Sequence, residues 1–181
     1  MPEPSTVRIR QSAPDDTAAV AAFCQPIYAT VYPNDKYGLE TEHFSVDIFK
    51  TADTLDYFAK TIANSSKQLS LISEDSAGIV GTISIERLDG YYEIHAFYVS
   101  IDHQGQGIGR QLLARALDFV TDDLPIRVEV AETNTKATAT YSHLGFKDAP
   151  ELGAKLRHWP EWPDGIQNRY IYMQARKADI K

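Results

Sequence analysis

The stretch that most constrains this 181-residue chain runs from Tyr91 to Val120. Aromatic and β-branched residues from Tyr91 to Val99 read as a strand. His103-Gln104-Gly105-Gln106-Gly107-Ile108-Gly109-Arg110 follows, and then apolar residues at Leu112, Leu113, Ala116, Leu117 and Val120, whose spacing predicts a helix over Gly109–Val120. A strand that passes through glycines into a helix leaves the N–H groups of the first turn unpaired, at the positive end of the helix dipole. Such a site favours an anion. Gly107 and Gly109 lack the Cβ atoms that would keep a pyrophosphate at a distance, and Arg110 is either a charge-assisted contact or a solvated side chain. The plainer alternative is a turn that merely tolerates glycine.

Spacing narrows the ligand. A G-x-G-x-x-G fingerprint begun at Gly105 would need glycine where Arg110 stands, and one begun at Gly107 would need it at Leu112. The Gly-Lys-Ser/Thr of a P-loop is absent. What is left is Gln104-x-x-Gly107-x-Gly109 between a strand and a helix.

Around this unit the chain alternates between two periods. Val7–Arg10 reads as a short strand, Ala18–Tyr28 as a first helix behind the capping residues Ser12 to Asp16, and Asp53–Ile62 as a second helix. Gln68–Ser73 and Ile79–Arg87 form a hairpin pattern across Glu74–Gly78 and lead into Tyr91–Val99. Ile126–Ala131 is a fifth strand, Thr135–Leu144 a short helix closed by Gly145, and Lys155–His158 with Gln167–Ala175 a last strand pair. The expected fold is a single α/β (α+β) domain over residues 1–181, with a mixed, mostly antiparallel sheet of about seven strands flanked by helices. Strict alternation along Tyr91–Val99 would put Glu93, His95, Phe97 and Val99 on one face, and Tyr92, Ile94, Ala96 and Tyr98 on the other.

A net charge of -7 argues against nucleic acid as a partner. The one cysteine, Cys24, excludes an internal disulfide and a thiolate metal cluster, no metal site is expected, and its apolar surroundings suit a buried thiol. The first ten residues show no leader pattern and no apolar run is long enough to span a bilayer, so the expectation is a cytoplasmic protein with no membrane partner.

Two ordered motifs, over a span from Val7 to Ala175, resemble the GCN5-related N-acetyltransferases (GNAT superfamily). The first is Gln104-Gly105-Gln106-Gly107-Ile108-Gly109 after a strand ending Ala96-Phe97-Tyr98-Val99-Ser100; the second is Asn134-Thr135-Lys136-Ala137 followed by Tyr141-Ser142-His143-Leu144-Gly145-Phe146. The resemblance implies acetyl-CoA as co-substrate and transfer of its acetyl group to a primary amine by direct attack in a ternary complex. It implies that Phe97, Tyr98 and Val99 offer backbone groups to the pantetheine arm. Gln104, Gly105, Gln106, Gly107, Ile108, Gly109 and Arg110 would cradle the pyrophosphate, Asn134 would contact the CoA arm, and Tyr141 would protonate the leaving thiolate.

Amide formation needs a neutral amine, a stabilised oxyanion and a proton for sulfur. Glu93 is the candidate base, as a glutamate at the matching distance is in histone-modifying members of the superfamily; Glu86, His95 or water are the alternatives, and His95 on Glu93's face is placed to relay a proton or orient the carboxylate. Tyr141, with an ordinary pKa of about 10, is a proton donor at neutral pH. Val99 N–H is the candidate oxyanion donor.

For the acceptor, the Tyr32–Phe58 segment and Trp159–Asp164 are the candidate walls. Their aromatic residues, with Asp35, Glu40, Glu42 and Asp47, form either a cage for an ammonium group or ordinary packing with a solvated acidic rim. Tyr28–Asp35 faintly resembles bacterial polyamine acetyltransferases and names a polyamine as the first acceptor to test. A protein N-terminus or lysine is the rival acceptor, and a non-catalytic acyl-CoA-binding module the rival class. Many members of the superfamily dimerise, so a homodimer is an expectation with no interface residue assigned.

Overall fold

The computed structural model describes residues 7–181. The leader reading of the first ten residues falls partly on Met1–Thr6, outside the described residues. Strand β1 (Arg8–Gln11) leads into α1 (Thr17–Val31) and, after three single 3-10 turns, α2 (Ala52–Thr61). Then come β2 (Gln68–Asp75), β3 (Gly78–Leu88), β4 (Tyr91–Val99), α3 (Ile108–Leu117), β5 (Ile126–Ala131), α4 (Thr135–Leu144), β6 (Lys147–Asp148), β7 (Ala154–Arg157) and β8 (Asn168–Ala175). The strands make one mixed sheet in the order β1-β2-β3-β4-β5-β8-β6, with β7 also paired to β8. Every pairing is antiparallel except β4–β5, whose parallel alignment requires the crossover through α3.

The mixed, mostly antiparallel architecture is the expected one, with one strand more, since the two-residue β6 is too short to leave a periodic signal. α1 runs through Pro26 to Val31 rather than ending at Tyr28. Its last turn is held by packing, because Tyr28 and Tyr32 both bury against the aromatic cluster with ring centroids 4.9 Å apart. α3 stops at Leu117, and Asp118, Phe119 and Val120 tighten into i→i−3 hydrogen bonds.

Two cores flank the sheet. On one face Leu112, Leu113 and Ala116 of α3 pack with Ile83, Ile85, Tyr92, Ile94, Ile126, Val128 and Met173. On the other, Val20, Cys24 and Tyr28 of α1 and Phe58 of α2 pack with Phe44, Phe49, Ile72 and Trp162. Each large side chain so buried contributes about 1.5–3 kcal/mol. Cys24 is fully buried, and burial pushes its thiol pKa up, so it acts as the expected small hydrophobe.

β4 departs from its expected parity. Tyr98 pairs with Thr82 and His95 with Ser84, so Ile83 faces both Ala96 and Phe97. This β-bulge puts Ala96 at φ +47°, a conformation that costs a non-glycine residue about 1–3 kcal/mol. The extra residue reverses the alternation. Phe97 and Val99 join Tyr92 and Ile94 on the α3 face, while Tyr98 crosses to the α1 face that Glu93 and His95 share. The expected grouping of Phe97 and Val99 with Glu93 is therefore corrected.

The same place opens the sheet. β4 and β5 pair only over Tyr92–Ile94 and Ile126–Val128, although β4 runs on to Val99 and β5 to Ala131. Beyond Ile94 the two strands diverge and leave a wedge at their C-terminal ends. Among the described residues no helix is long and apolar enough to cross a membrane.

α4 stands beside the wedge and is held at its C-terminus by Gly145, with φ +104° and no room for a side chain, since a Cβ would collide with the Asp179 carbonyl. Gly145→Ala is expected to lower unfolding stability by about 2 kcal/mol or more in urea titrations. A loss below about 0.5 kcal/mol would show that this packing is not tight.

Candidate functional site

The glycine loop lies at the mouth of the wedge. Gly107, at φ +81°, caps α3, and the amides of Gly107, Ile108, Gly109 and Arg110 have no carbonyl within the helix to bond. Gly109 has ordinary helical geometry, and a methyl there would stand 3.5 Å from Val99 Cγ2, in normal contact, so packing alone does not demand glycine. Gln104 donates from Nε2 to Val99 O (3.3 Å) and accepts from Lys136 Nζ at 2.8 Å, which ties the loop to α4. Gln106 donates to Asp102 O (3.1 Å), and Gly105, Gln106 and Arg110 are exposed.

Ser100 N–H donates to Val80 O at 2.9 Å across β3. Val99, one residue back along the pleat, therefore turns its own N–H and C=O away from β3, towards the wedge. Tyr98 instead faces β3 with its carbonyl, close to Gly81, and its hydroxyl bonds those of Tyr32 (2.8 Å) and Tyr28 (3.3 Å). The Phe97 ring packs towards Gly109 and Tyr141.

On the far side of the wedge, Asn134 is the N-cap of α4: its Oδ1 accepts from Ala137 N–H at 3.0 Å, which leaves its amide nitrogen for any ligand. Tyr141 lies between Phe97 (ring centroids 6.3 Å) and Phe146 (5.4 Å). Its hydroxyl has no hydrogen bond among the described residues, and burial pushes its pKa up, so it holds its proton at neutral pH.

The α1 face carries the acid–base groups. Glu93 is 7% exposed, and burial raises its pKa above the ordinary carboxylate range, opposed by the nearby His95. His95 bridges two carboxylates, with Nδ1 3.7 Å from Glu93 and Nε2 3.5 Å from Glu86, so Glu86, His95 and Glu93 form a row from solvent to the interior. Glu129 of β5 joins them. Burial would raise its pKa too, but Arg157, Lys155 and the Tyr172 hydroxyl hold it below the ordinary range. Glu129, Tyr172, Lys155 and Arg157 escape a sequence reading of the site. Their signal is the alternation of polar residues with Val128, Val130, Ile171 and Met173, but it does not say which strands meet.

Lys155 and Arg157 also line a cavity of about 340 Å³ between α2 and the β7–β8 loop, with Asp53, Tyr57, Trp159 and Glu161 among its walls. The aromatic cage with Asp35, Glu40, Glu42 and Asp47 does not form. Those four carboxylates are exposed, while Tyr32, Phe44 and Phe49 are core, which is the packing alternative.

Comparison with known proteins bears on this geometry. A model of the acetyltransferase (GNAT) family matches residues 34–146, which include the glycine loop, Asn134 and Tyr141. The chain belongs to the GNAT acetyltransferase family. It is 32% identical over 99 residues to the L-amino acid N-acyltransferase MnaT of Escherichia coli, covering 49% of this chain and 58% of that protein. It is 35% identical over 85 residues to the N-alpha-acetyltransferase RimI of Mycobacterium tuberculosis, covering 45% of this chain and 51% of that protein. The matches thus span little more than half the length of these curated relatives. The structure of the PaiA N-acetyltransferase of Thermoplasma acidophilum in complex with coenzyme A superposes with a TM-score of 0.64 at 18% identity, over 94% of this chain and 99% of that one, which shows the shared GNAT fold.

The buried Glu93 carries a linkage signature. A carboxyl whose pKa is raised on folding binds its proton more tightly in the native state, so native stability falls as pH rises from the unfolded pKa through the folded one. Glu93→Gln is expected to raise the thermal midpoint at pH 7–8, with the gain vanishing below about pH 4, where the unfolded carboxyl is also protonated. A gain independent of pH would show that Glu93 is not held in a desolvated site.

Proposed function

We propose that this GNAT protein transfers the acetyl group of acetyl-CoA to the primary amine of a small molecule, by direct attack in a ternary complex, with residues 1–181 acting as one acetyltransferase domain. The observation that carries the reading is the wedge between β4 and β5, with outward N–H groups at its mouth and the unpartnered Tyr141 hydroxyl on its wall. A thioester-linked pyrophosphate suits both. The amides of Gly107 to Arg110 would hold the diphosphate, the Asn134 amide and the main chain of Phe97 and Val99 the pantetheine arm, and Val99 N–H the oxyanion.

Two proton transfers complete the reaction. Glu93, its basicity raised by burial, takes the proton that the acceptor nitrogen loses, and His95 and Glu86 pass it to solvent. As the new C–N bond forms and the C–S bond breaks, Tyr141 gives its proton to the sulfur and recovers one from water. A raised pKa makes a tyrosine a weaker acid, but a thiolate expelled into an apolar wedge is itself a strong proton acceptor, so the transfer is matched.

The cavity beside α2 is the proposed acceptor site, because Lys155 and Arg157 on its wall lie within the electrostatic reach of Glu93. Tyr57 and Trp159 with Asp53 and Glu161 suit an ammonium-bearing chain, which keeps a polyamine as the first acceptor to test. A protein N-terminus is the second reading, favoured by the solvent-facing position of this cavity between α2 and the β7–β8 loop and by the relative named as an N-alpha-acetyltransferase.

Tyr141→Phe is expected to lower kcat by about 10²-fold or more, the worth of a positioned general acid, while acetyl-CoA affinity changes less than about threefold. Free-thiol release with a panel of polyamines, amino acids and N-terminal peptides measures both. Unchanged kcat would remove Tyr141 from the mechanism, and coenzyme A binding without turnover on any amine would favour a regulatory module.

A further inference from the structure

His103 lies outside the row of acid–base groups, in the turn between β4 and the glycine loop. Its imidazole is held on both sides: Nδ1 is 2.7 Å from Ser100 Oγ, and Nε2 is 3.1 Å from Asp75 Oδ2. Asp75 ends β2, with its side chain 7% exposed, and Oδ1 accepts from Ala77 N–H (2.8 Å) and Gly78 N–H (3.2 Å), which fixes the carboxylate to the β2–β3 turn. Ser100 is fixed to β3 through its N–H on Val80 O, and His103 N–H donates to Ser100 O at 3.0 Å. These contacts hold in both charge states of the ring. Neutral His103 donates from Nε2 to Asp75 and accepts the Ser100 hydroxyl proton; the cation donates from both nitrogens.

We propose that Asp75 and His103 are positioning residues for the donor substrate: they clamp the start of the glycine loop to the β2–β3 hairpin, so that its amides face the wedge before any ligand arrives. The inference rests on the reading of that loop as the coenzyme A diphosphate site. A loop with glycine at 105 and 107 is costly to order, and each residue ordered at the moment of binding subtracts from affinity. The clamp at His103, with the Gln104 contacts to Val99 and Lys136 next to it, moves that cost into folding. The rigid partner is Asp75, on a strand turn, whereas Ser100 is only three residues away along the same segment. Loss of the Asp75 contact is therefore the damaging one.

The test is calorimetric titration of coenzyme A into the full chain and three variants, with thermal midpoints recorded. His103→Ala is expected to weaken binding by about tenfold, the worth of one charge-assisted hydrogen bond. His103→Gln, whose amide reaches the position of Nε2 and so meets Asp75, stays within about threefold of wild type. His103→Asn, which reaches only Ser100, is as weak as His103→Ala. If His103→Ala does not fold, the comparison of Gln with Asn decides. Wild-type affinity in His103→Ala, or equal affinities in the Gln and Asn variants, would overturn the clamp while leaving the donor reading intact. No binding of coenzyme A by the wild type would overturn the donor reading and the clamp with it.

Discussion

The extra residue in β4 is the constraint on which the site depends. Ala96 and Phe97 together oppose Ile83, and the resulting bend carries β4 away from β5 after three paired residues. Without it the parallel ladder could run on to the end of β5 at Ala131, and the wedge would close. With it, an edge of backbone polar groups is left inside the sheet: Gln104 Nε2 bonds Val99 O, and the Val99 N–H is left to a ligand or water. The strain at Ala96 is the local cost of that edge. The bulge also sorts the side chains, sending Phe97 and Val99 to pack under the glycine loop and Tyr98 into the tyrosine cluster around α1.

The electrostatics follow from that division. Two carboxylates with similar burial, Glu93 and Glu129, are pushed in opposite directions by what they meet. Glu129 has Arg157 and Lys155 on it and stays ionised; among the described residues Glu93 has His95 as its one ion-pair partner within 4 Å, and burial leaves it more basic. One is held by its cations in the surrounding structure; the other, on the proposed reading, exchanges a proton. Glu132, held at a pKa of about 2 by Lys36, Tyr37 and Arg169, ties the turn after α1 to β8 at the end of β5 in the same structural way.

What the sequence made legible was local. Strand, glycines and helix adjoin along the chain, and β5 and α4 were read to the residue, because capping and turn chemistry act over a few positions. The parity of β4 beyond His95 was not legible, since a bulge is decided by the register with β3 and no residue in His95-Ala96-Phe97 announces it. Glu129 and Arg157 meet through β8 across 28 positions, a contact that periodicity cannot supply. Asn134 is expected as a ligand contact and is found as a helix cap through its Oδ1, a role that the expectation did not include.

Amide hydrogen exchange, with and without coenzyme A, tests the central claim most directly. New protection is expected at Phe97 and Val99 on the open edge of β4 and over Gly105–Arg110 in the glycine loop, with the β2–β3 hairpin unchanged. Protection that appears elsewhere and leaves the Val99 and Gly107–Arg110 amides exchanging as before would contradict it.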